Sequence, residues 1–363
     1  MKKSFISLGL MSGTSGDGID ASLLESNGVD KIKLIKDEYF AYPDAVTKEY
    51  FLIRDLLKKK EDLKKLNKKI EILENKITDF NIKICCNLIK DFNIDLVGFH
   101  GQTIYHNSKE KLSIQLGSGK KLSKGINKTV VFNFRLNDLK NGGEGAPLVP
   151  IFHRLIIKDS KDKKKFKLPV SIINIGGIAN ITSINNFYKI YSRDIGPGNC
   201  LIDLWLRKNS KYKFDKNGII AKSGKTDKII LNNSLETYFY NNLNKKKSMD
   251  IKDFDISFAR GLSLSNGAAT ITEFTAEVLS KEIPNQQIYI AGGGRKNTYL
   301  LQLLKLKTGN PISLIDTLGY DGDFIESQAF AYLAIRSLLG LPISFPETTG
   351  CNTAVSGGQI IKI

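Results

Sequence analysis

The sequence predicts an α/β protein built from two similar domains that face a common cleft. Three observations carry this expectation. The order strand–strand–strand–helix–strand occurs twice along the chain. Glycine-rich turns stand at the strand ends of both halves. The 363 residues are enough for two ordinary domains, each with its own core. A repeated supersecondary order weighs more than any single element, because two like domains imply a shared cleft. The expected boundaries are 1–134 with 341–363 for the first domain and 135–340 for the second.

In the first half, Phe5–Leu8 and Ile19–Leu23 alternate apolar and polar residues on either side of "GTSGDG", as two strands of a hairpin do. "KIKLIKDEYF" (31–40) is a third strand. From about residue 46 to 91 the pattern turns helical. Leu63, Leu66, Ile70, Leu73, Ile77, Phe80, Ile84 and Leu88 recur at spacings of three and four and form one apolar stripe opposite lysines. Packing on the domain's own sheet is the favoured use of that stripe, and a homodimer through it is the alternative. "DLVGFHGQT" is a buried-type strand, and "KTVVFNF" (128–134) is another.

The second half repeats the order. "PVSIINIGGIANITSI" (169–184) reads as two strands around a glycine turn, and "FYKIYSRD" (187–194) as a third. A helix through Leu204 and Leu206 follows, and residues 207–250, rich in Lys and Asn, read as surface loop and irregular helix. A long helix from about Gly267 to Lys281 leads to "QQIYIAGGGRKN" (286–297), which holds the place of "DLVGFHGQT" in the first half. "ESQAFAYLAIRSLLG" (326–340) is an apolar helix placed to cross back towards the first domain, ended by Pro342 and Pro346. A short strand, "GQIIKI", closes the chain.

Composition excludes several classes. No apolar run nears the roughly 20 residues of a bilayer span, and the N-terminus lacks a cleavage site, so no membrane role and no signal peptide are expected. Cys85, Cys86, Cys200 and Cys351 have neither metal-ligand nor redox spacing, which suits a reducing cytoplasm. The formal charge of +17 would suit nucleic acid. The lysines are spread along the chain, however, without basic and aromatic residues interleaved on one face, so a lysine-biased surface is the reading and no nucleic-acid partner is expected. Part of the charge would help attract an anionic substrate.

The familiar phosphate and metal motifs are missing. "QLGSGKKLS" fails the Walker spacing, "YDGDFIE" lacks the alternating ligands of a calcium loop, and no G-x-G-x-x-G opens a helix after a strand. What remains are glycine turns whose free backbone N–H groups can approach a phosphate. Gly13, Gly16 and Gly18 sit with the hydroxyls of Thr14 and Ser15, and Asp17 could act on a hydrated Mg²⁺. Gly176 and Gly177 with Asn180 form a second turn. Gly292, Gly293 and Gly294 lead through Asn297 into a helix start that favours anions. One such turn alone would be only a tight turn; three at matching places make a phosphate role the better reading.

Other polar residues keep two readings each. Asp194, ending a strand before Gly196, Gly198 and Asn199, is either a general base or the cap of the next turn. His100, Gln102 and Thr103 offer hydrogen-bonding groups at a strand end, and a lone histidine is more often a structural partner. Arg135 is a clamp for carboxylate or phosphate, or the ion-pair partner of Asp138. Glu326 either meets the N-terminus of its helix or binds substrate.

The stretches "GLMSGTSGDGID", "GFHGQTIYH", "GGEGAPLVPIFH", "NIGGIANIT", "DIGPGNCLIDLW", "AGGGRKN" and "ESQAFAYLA", taken in order, resemble the anhydro-N-acetylmuramic acid kinases of the sugar kinase, heat-shock ATPase and actin superfamily. The resemblance implies two ribonuclease-H-like, actin-like ATPase domains around a central nucleotide cleft. It implies ATP as phosphoryl donor, Mg²⁺, and a small sugar, 1,6-anhydro-N-acetylmuramic acid, as acceptor. Water would open the anhydro bridge as the 6-hydroxyl is phosphorylated, with Asp194 as base. The glycine turns with Thr14, Ser15, Asp20, Asn180, Asn199 and Asn297 would hold ATP, and Asp17 would hold Mg²⁺ directly or through water. His100, Gln102, Thr103, Arg135 and Glu326 would line the sugar site. A same-fold kinase for another anhydrosugar and a non-catalytic actin-like ATP-binding protein are the alternatives; Asp194 and the sugar-side residues count against the latter. Three positions depart from the family pattern. Gly16 replaces a leucine and implies a loop loose until ATP binds; Asn133 replaces an aspartate and Glu144 a glutamine, and both bear on sugar preference or rate.

Overall fold

The alternation on either side of the first glycines becomes a hairpin. In the computed structural model, which describes residues 4–13, 15–163, 167–241, 249 and 251–363, β1 (Phe5–Ser12) runs antiparallel to β2 (Gly18–Ser26), with Leu8 opposite Leu23 and Leu10 opposite Ala21. β3 (Ile32–Ala41) pairs antiparallel with β2, and β4 (Leu96–Asn107) pairs parallel with β1. β5 (Leu112–Leu116) folds back on β4. β6 (Thr129–Phe132) lies parallel to β4 on its far side, and the C-terminal β12 (Gln359–Ile361) closes that edge antiparallel to β6.

The second sheet repeats the plan. β7 (Val170–Ile175), β8 (Ile178–Asn186) and β9 (Lys189–Pro197) form an antiparallel meander. β10 (Gln287–Ala291) joins β7 in parallel, and β11 (Ile312–Leu314) joins β10 in parallel. The orders β3-β2-β1-β4-β6 and β9-β8-β7-β10-β11 match strand for strand in sequence rank and direction. The duplication expected from the sequence is therefore a duplication of sheet topology. Parallel connections need a crossover, which helices Asp44–Leu56 and Asn67–Asp91 supply in the first half and Cys200–Asn209 and Leu264–Glu282 in the second.

The chain divides into one compact unit of Met1–Lys163 with Phe324–Ile363 and a second of Lys164–Asp323. This moves residues 135–163 and 324–340 out of the second domain, where the sequence put them, into the first. The reason is packing. Helix Ile325–Leu338 is buried almost all round and lies on β1, β2 and β4, so it is a core element of the first unit and not a crossing helix. Gly9 and Gly98 are register partners on β1 and β4. A Cβ on either would strike the helix backbone, at Ser327 O or Phe330 O. Two bare positions side by side let the helix press onto the sheet and fix where its N-terminal Glu326 begins.

The long stripe of helix Asn67–Asp91 goes inward. Leu73, Ile77, Ile84 and Leu88 are buried in the core of the first unit, with Leu63, Leu66, Ile70 and Phe80 packed against it. Residues 207–250 hold more regular structure than expected, including the helix Lys228–Asn241. Its periodicity is blurred because Ile229 and Tyr240 face solvent while Leu231 alone is fully buried. Among the described residues no helix is long and apolar enough to cross a membrane, and the four cysteines are unbridged.

Candidate active site

In the first unit the β1–β2 turn is held from below. Gly13 O accepts from Gly16 N at 3.1 Å and from Gln102 Nε2 at 2.8 Å, which ties the turn to β4. Ser15 Oγ donates to the exposed carboxylate of Asp17 at 2.6 Å. The Asp17 carbonyl accepts from Tyr42 N and the Tyr39 hydroxyl, each at 2.9 Å. Gly18 opens β2, and Asp20 pairs with Met11 and Tyr39 in the sheet. Burial, with Asp17 and Asp20 nearby, pushes the Tyr39 phenol up to about 12. Thr14 lies outside the described residues.

Gly16 is buried at φ +59°, and a Cβ there would strike the Tyr50 ring. Tyr50 is itself fixed through its hydroxyl on Thr103 O at 3.0 Å. The aromatic ring fills the space beside this residue, so Gly16 is a packing requirement. The expectation of a loose loop at Gly16 finds no support in this contact.

His100 and Arg135 meet. His100 is 3% exposed, and its Nε2 lies 2.9 Å from Arg135 Nη2 and 3.2 Å from Nε. Arg135 also donates to Gly145 O at 2.8 Å. Glu326 and Asp138 act on the same guanidinium electrostatically, opposing the loss of charge that its burial favours. Asp138 is no surface ion-pair partner. It is buried, and its oxygens accept from Gly145 N at 2.7 Å and Thr349 Oγ1 at 2.6 Å, stapling the glycine turn 142–145. With both ring nitrogens of His100 engaged, Nδ1 on Gly101 O at 2.8 Å, the ring serves Arg135 and presents no free nitrogen to a ligand.

Gln102 is fully buried. Its Oε1 has no partner among the described residues, while its amide nitrogen holds Gly13. Thr103 Oγ1 accepts from Gln115 Nε2 at 3.3 Å. Two departures from the family pattern have local accounts. Asn133 adopts φ +55°, which asparagine tolerates better than most residues, and donates from Nδ2 to Gln359 Oε1 at 2.8 Å, a bond an aspartate could not donate. Glu144 N donates to Thr349 O at 2.9 Å.

In the second unit the predicted residues converge. Asn174, Asn180 and Asp194 are register partners in a row across β7, β8 and β9. A bulge in the β8–β9 pairing falls beside Asn180 and Asp194. Directly paired strand residues share a face, so the row places two amides and a carboxylate together. Asn174 and its place in the row escape sequence reading, since only the register reveals it. Asp194 Oδ2 also accepts from Met249 N at 2.8 Å, a residue the sequence assigned to surface loop.

The glycine turns stand at the end of this row. Gly198 N donates to Gly177 O at 2.9 Å, and Asn199 N donates to Gly176 O at 2.8 Å. These bonds stitch the β7–β8 turn to the start of helix Cys200–Asn209. Gly196 pairs with Ala179 on β8. Gly293 is open, its nearest neighbour being the Asn199 amide at 3.9 Å from a built Cβ, while Gly292 and Gly294 pack on Asn174 and Ile175. Asn297 is buried and caps helix Thr298–Thr308, accepting from Leu300 N at 3.0 Å. One further carboxylate, Asp203, stands in the first turn of helix Cys200–Asn209. Burial pushes it up to about 6, against the pull of Arg207.

Among the described residues no group of three or more His, Cys, Asp or Glu is gathered for a metal. That fits an ion held largely by water and phosphate oxygens, since Mg²⁺ is commonly bound by one or two carboxylates plus substrate.

A family model described as anhydro-N-acetylmuramic acid kinase matches residues 5–362. The protein of that name from Pelagibacter ubique is 45% identical over 377 aligned residues, covering all of both chains. Those from Methylobacterium nodulans and Rhizorhabdus wittichii are 36% and 35% identical, each covering 97% of this chain and 98% of its own.

Proposed function

The chain belongs to the anhydro-N-acetylmuramic acid kinase family, and on that premise we propose how its residues share the work. It is an ATP-dependent kinase that opens 1,6-anhydro-N-acetylmuramic acid with water and phosphorylates its 6-hydroxyl. The products are N-acetylmuramic acid 6-phosphate and ADP, a step of cell-wall recycling. The observation that carries the assignment of roles is the row Asn174–Asn180–Asp194, which ends beside the Gly176–Gly177 turn.

Asp194 takes a proton from water, and the water oxygen bonds to the anomeric carbon. The bond from that carbon to the bridging oxygen breaks. The freed oxygen bonds to the γ-phosphorus of ATP, and the bond from phosphorus to the β,γ-bridging oxygen breaks to release ADP. A general base must lie within hydrogen-bond reach of the proton it takes, and the Met249 N–H bond supports one orientation of the Asp194 oxygens. The Gly293 and Gly294 N–H groups, outside the turn-to-turn bonds, would hold the phosphates of ATP, and the Gly177 N–H would stabilise charge on the transferring phosphoryl group by position. The Gly13–Gly18 turn would do the same, with Asp17 holding Mg²⁺. When bound, Mg²⁺ neutralises charge on the phosphate oxygens. In the first unit, Arg135, held by His100, and the unpartnered Oε1 of Gln102 suit a polar, carboxylate-bearing sugar, with Thr103 and Glu326 close in sequence or charge.

The test is ADP release with 1,6-anhydro-N-acetylmuramic acid, comparing wild type with Asp194→Asn. Loss of a general base lowers kcat by about 10²- to 10⁴-fold, with the KM for ATP little changed. In ¹⁸O-labelled water the label enters the anomeric hydroxyl and not the phosphate. Brisk turnover by Asp194→Asn removes it as the base, and a wild type inert on this sugar overturns the substrate assignment.

A further inference from the structure

The stretch "YDGDFIE", which fails as a calcium loop, has a different use. Arg295 is 7% exposed, yet its guanidinium is surrounded by acid. Nε donates to Asp316 at 3.1 Å, Nη2 to Asp321 at 2.9 Å, and Nη1 to Asp323 at 2.6 Å. Nη1 also lies 3.4 Å from Gly292 O, and Nη2 lies 3.4 Å from the second oxygen of Asp316. All the donors of the fork are therefore aimed at oxygen. Lys296 takes the other oxygen of Asp323 at 2.5 Å. Gly322 lies so close to the guanidinium that a Cβ there would strike it.

These contacts bracket the Gly292–Gly294 turn. Gly292 N donates to Gly322 O at 3.2 Å, Arg295 N donates to Gly292 O at 3.1 Å, and Asn297 N donates to Gly294 O at 3.0 Å. Three successive glycines have no side chain to anchor them and lose more conformational freedom on ordering than any other residues. A turn of this kind would bind phosphate weakly unless its shape were set before the ligand arrived. Arg295 is a buried side chain on this turn that makes several hydrogen bonds at once. A buried guanidinium with three carboxylates is costly to assemble unless each bond is well formed. Its planar fork is what lysine cannot reproduce.

We propose that Arg295 is a positioning residue for nucleotide binding: by clamping the Gly292–Gly294 turn to the Asp316–Asp323 segment, it holds the turn in the shape that receives ATP. The inference rests on the reading of this turn as part of the ATP site. The aspartates are counter-ions of the clamp and make no calcium loop.

The experiment is ATP titration of the full chain, without sugar, for wild type, Arg295→Lys and Asp321→Asn, with steady-state kinetics and thermal unfolding on the same samples. Arg295→Lys keeps the charge and loses the fork. It should weaken ATP binding about tenfold or more, with the KM for the sugar and the kcat at saturating ATP within about threefold of wild type. Asp321→Asn removes the most exposed of the three carboxylates and should weaken ATP binding about two- to fourfold, so it carries the test if Arg295→Lys does not fold. A lowered unfolding temperature with unchanged ATP affinity in both variants makes the cluster merely structural and overturns the proposal. A wild type that binds no ATP overturns the reading beneath it as well, which separates the two failures.

Discussion

His100 Nε2 lies 2.9 Å from Arg135 Nη2. A guanidinium can only donate, so Nε2 is the acceptor and the proton of the neutral ring sits on Nδ1, where it donates to Gly101 O. Burial, and then the Arg135 charge, hold His100 well below its ordinary value. The ring is thus a neutral strut under Arg135 and cannot act as an acid near neutral pH.

A pH dependence of stability follows. His153 is buried as well, and burial pushes it down to about 3. Both groups have folded values below the unfolded 6.5, so below that pH the unfolded chain takes up protons that the folded chain does not. Stability is full above about pH 6.5 and falls as the pH drops towards the folded values, by about 1.4 kcal/mol per pH unit for each histidine. Denaturant unfolding of wild type and His153→Gln between about pH 7 and about pH 5 checks this. The variant should show the shallower slope, and equal slopes would refute the assignment.

Gly16 and Tyr50 are a packed pair. Gly16→Ala places a methyl in the ring and a side chain at positive φ, and should cost about 1–3 kcal/mol. Combining it with Tyr50→Ala frees the space and should recover part of the loss, a non-additivity that a double-mutant cycle in urea measures. A neutral Gly16→Ala would show that the turn relaxes freely.

Asp203 carries the opposite sign to the histidines. Its folded value, about 6, lies above the ordinary 3.8, so the folded chain binds the proton more tightly. Stability is lost as pH rises from about 4 through about 6, and ionised Asp203 costs about 1–3 kcal/mol above that. Asp203→Asn should therefore raise the unfolding temperature at about pH 8 and leave it nearly unchanged at about pH 4. If kinase activity falls in the same variant, the strain of this carboxylate serves the reaction.

The sequence by itself determined the duplicated strand order, the glycine turns and the family, because strand alternation, turn chemistry and motif order are local and survive without a neighbour in view. It also pointed to the Gly13–Gly18, Gly176–Gly177 and Gly292–Gly294 turns as one set, and to Asp194 beside the glycines that follow it. Only the tertiary structure decided which unit owns Glu326, since that depends on Gly9 and Gly98 lying side by side in register and admitting the helix Ile325–Leu338. Register likewise brought Asn174 into line with Asn180 and Asp194. Hydrogen bonds from Gly145 and Thr349 made Asp138 the staple of the glycine turn beside Arg135, and ion pairs made "YDGD" the counter-ions of Arg295. Each of these rests on contacts between residues distant in the chain, whose pairing is set by packing and hydrogen-bond geometry that no local pattern encodes.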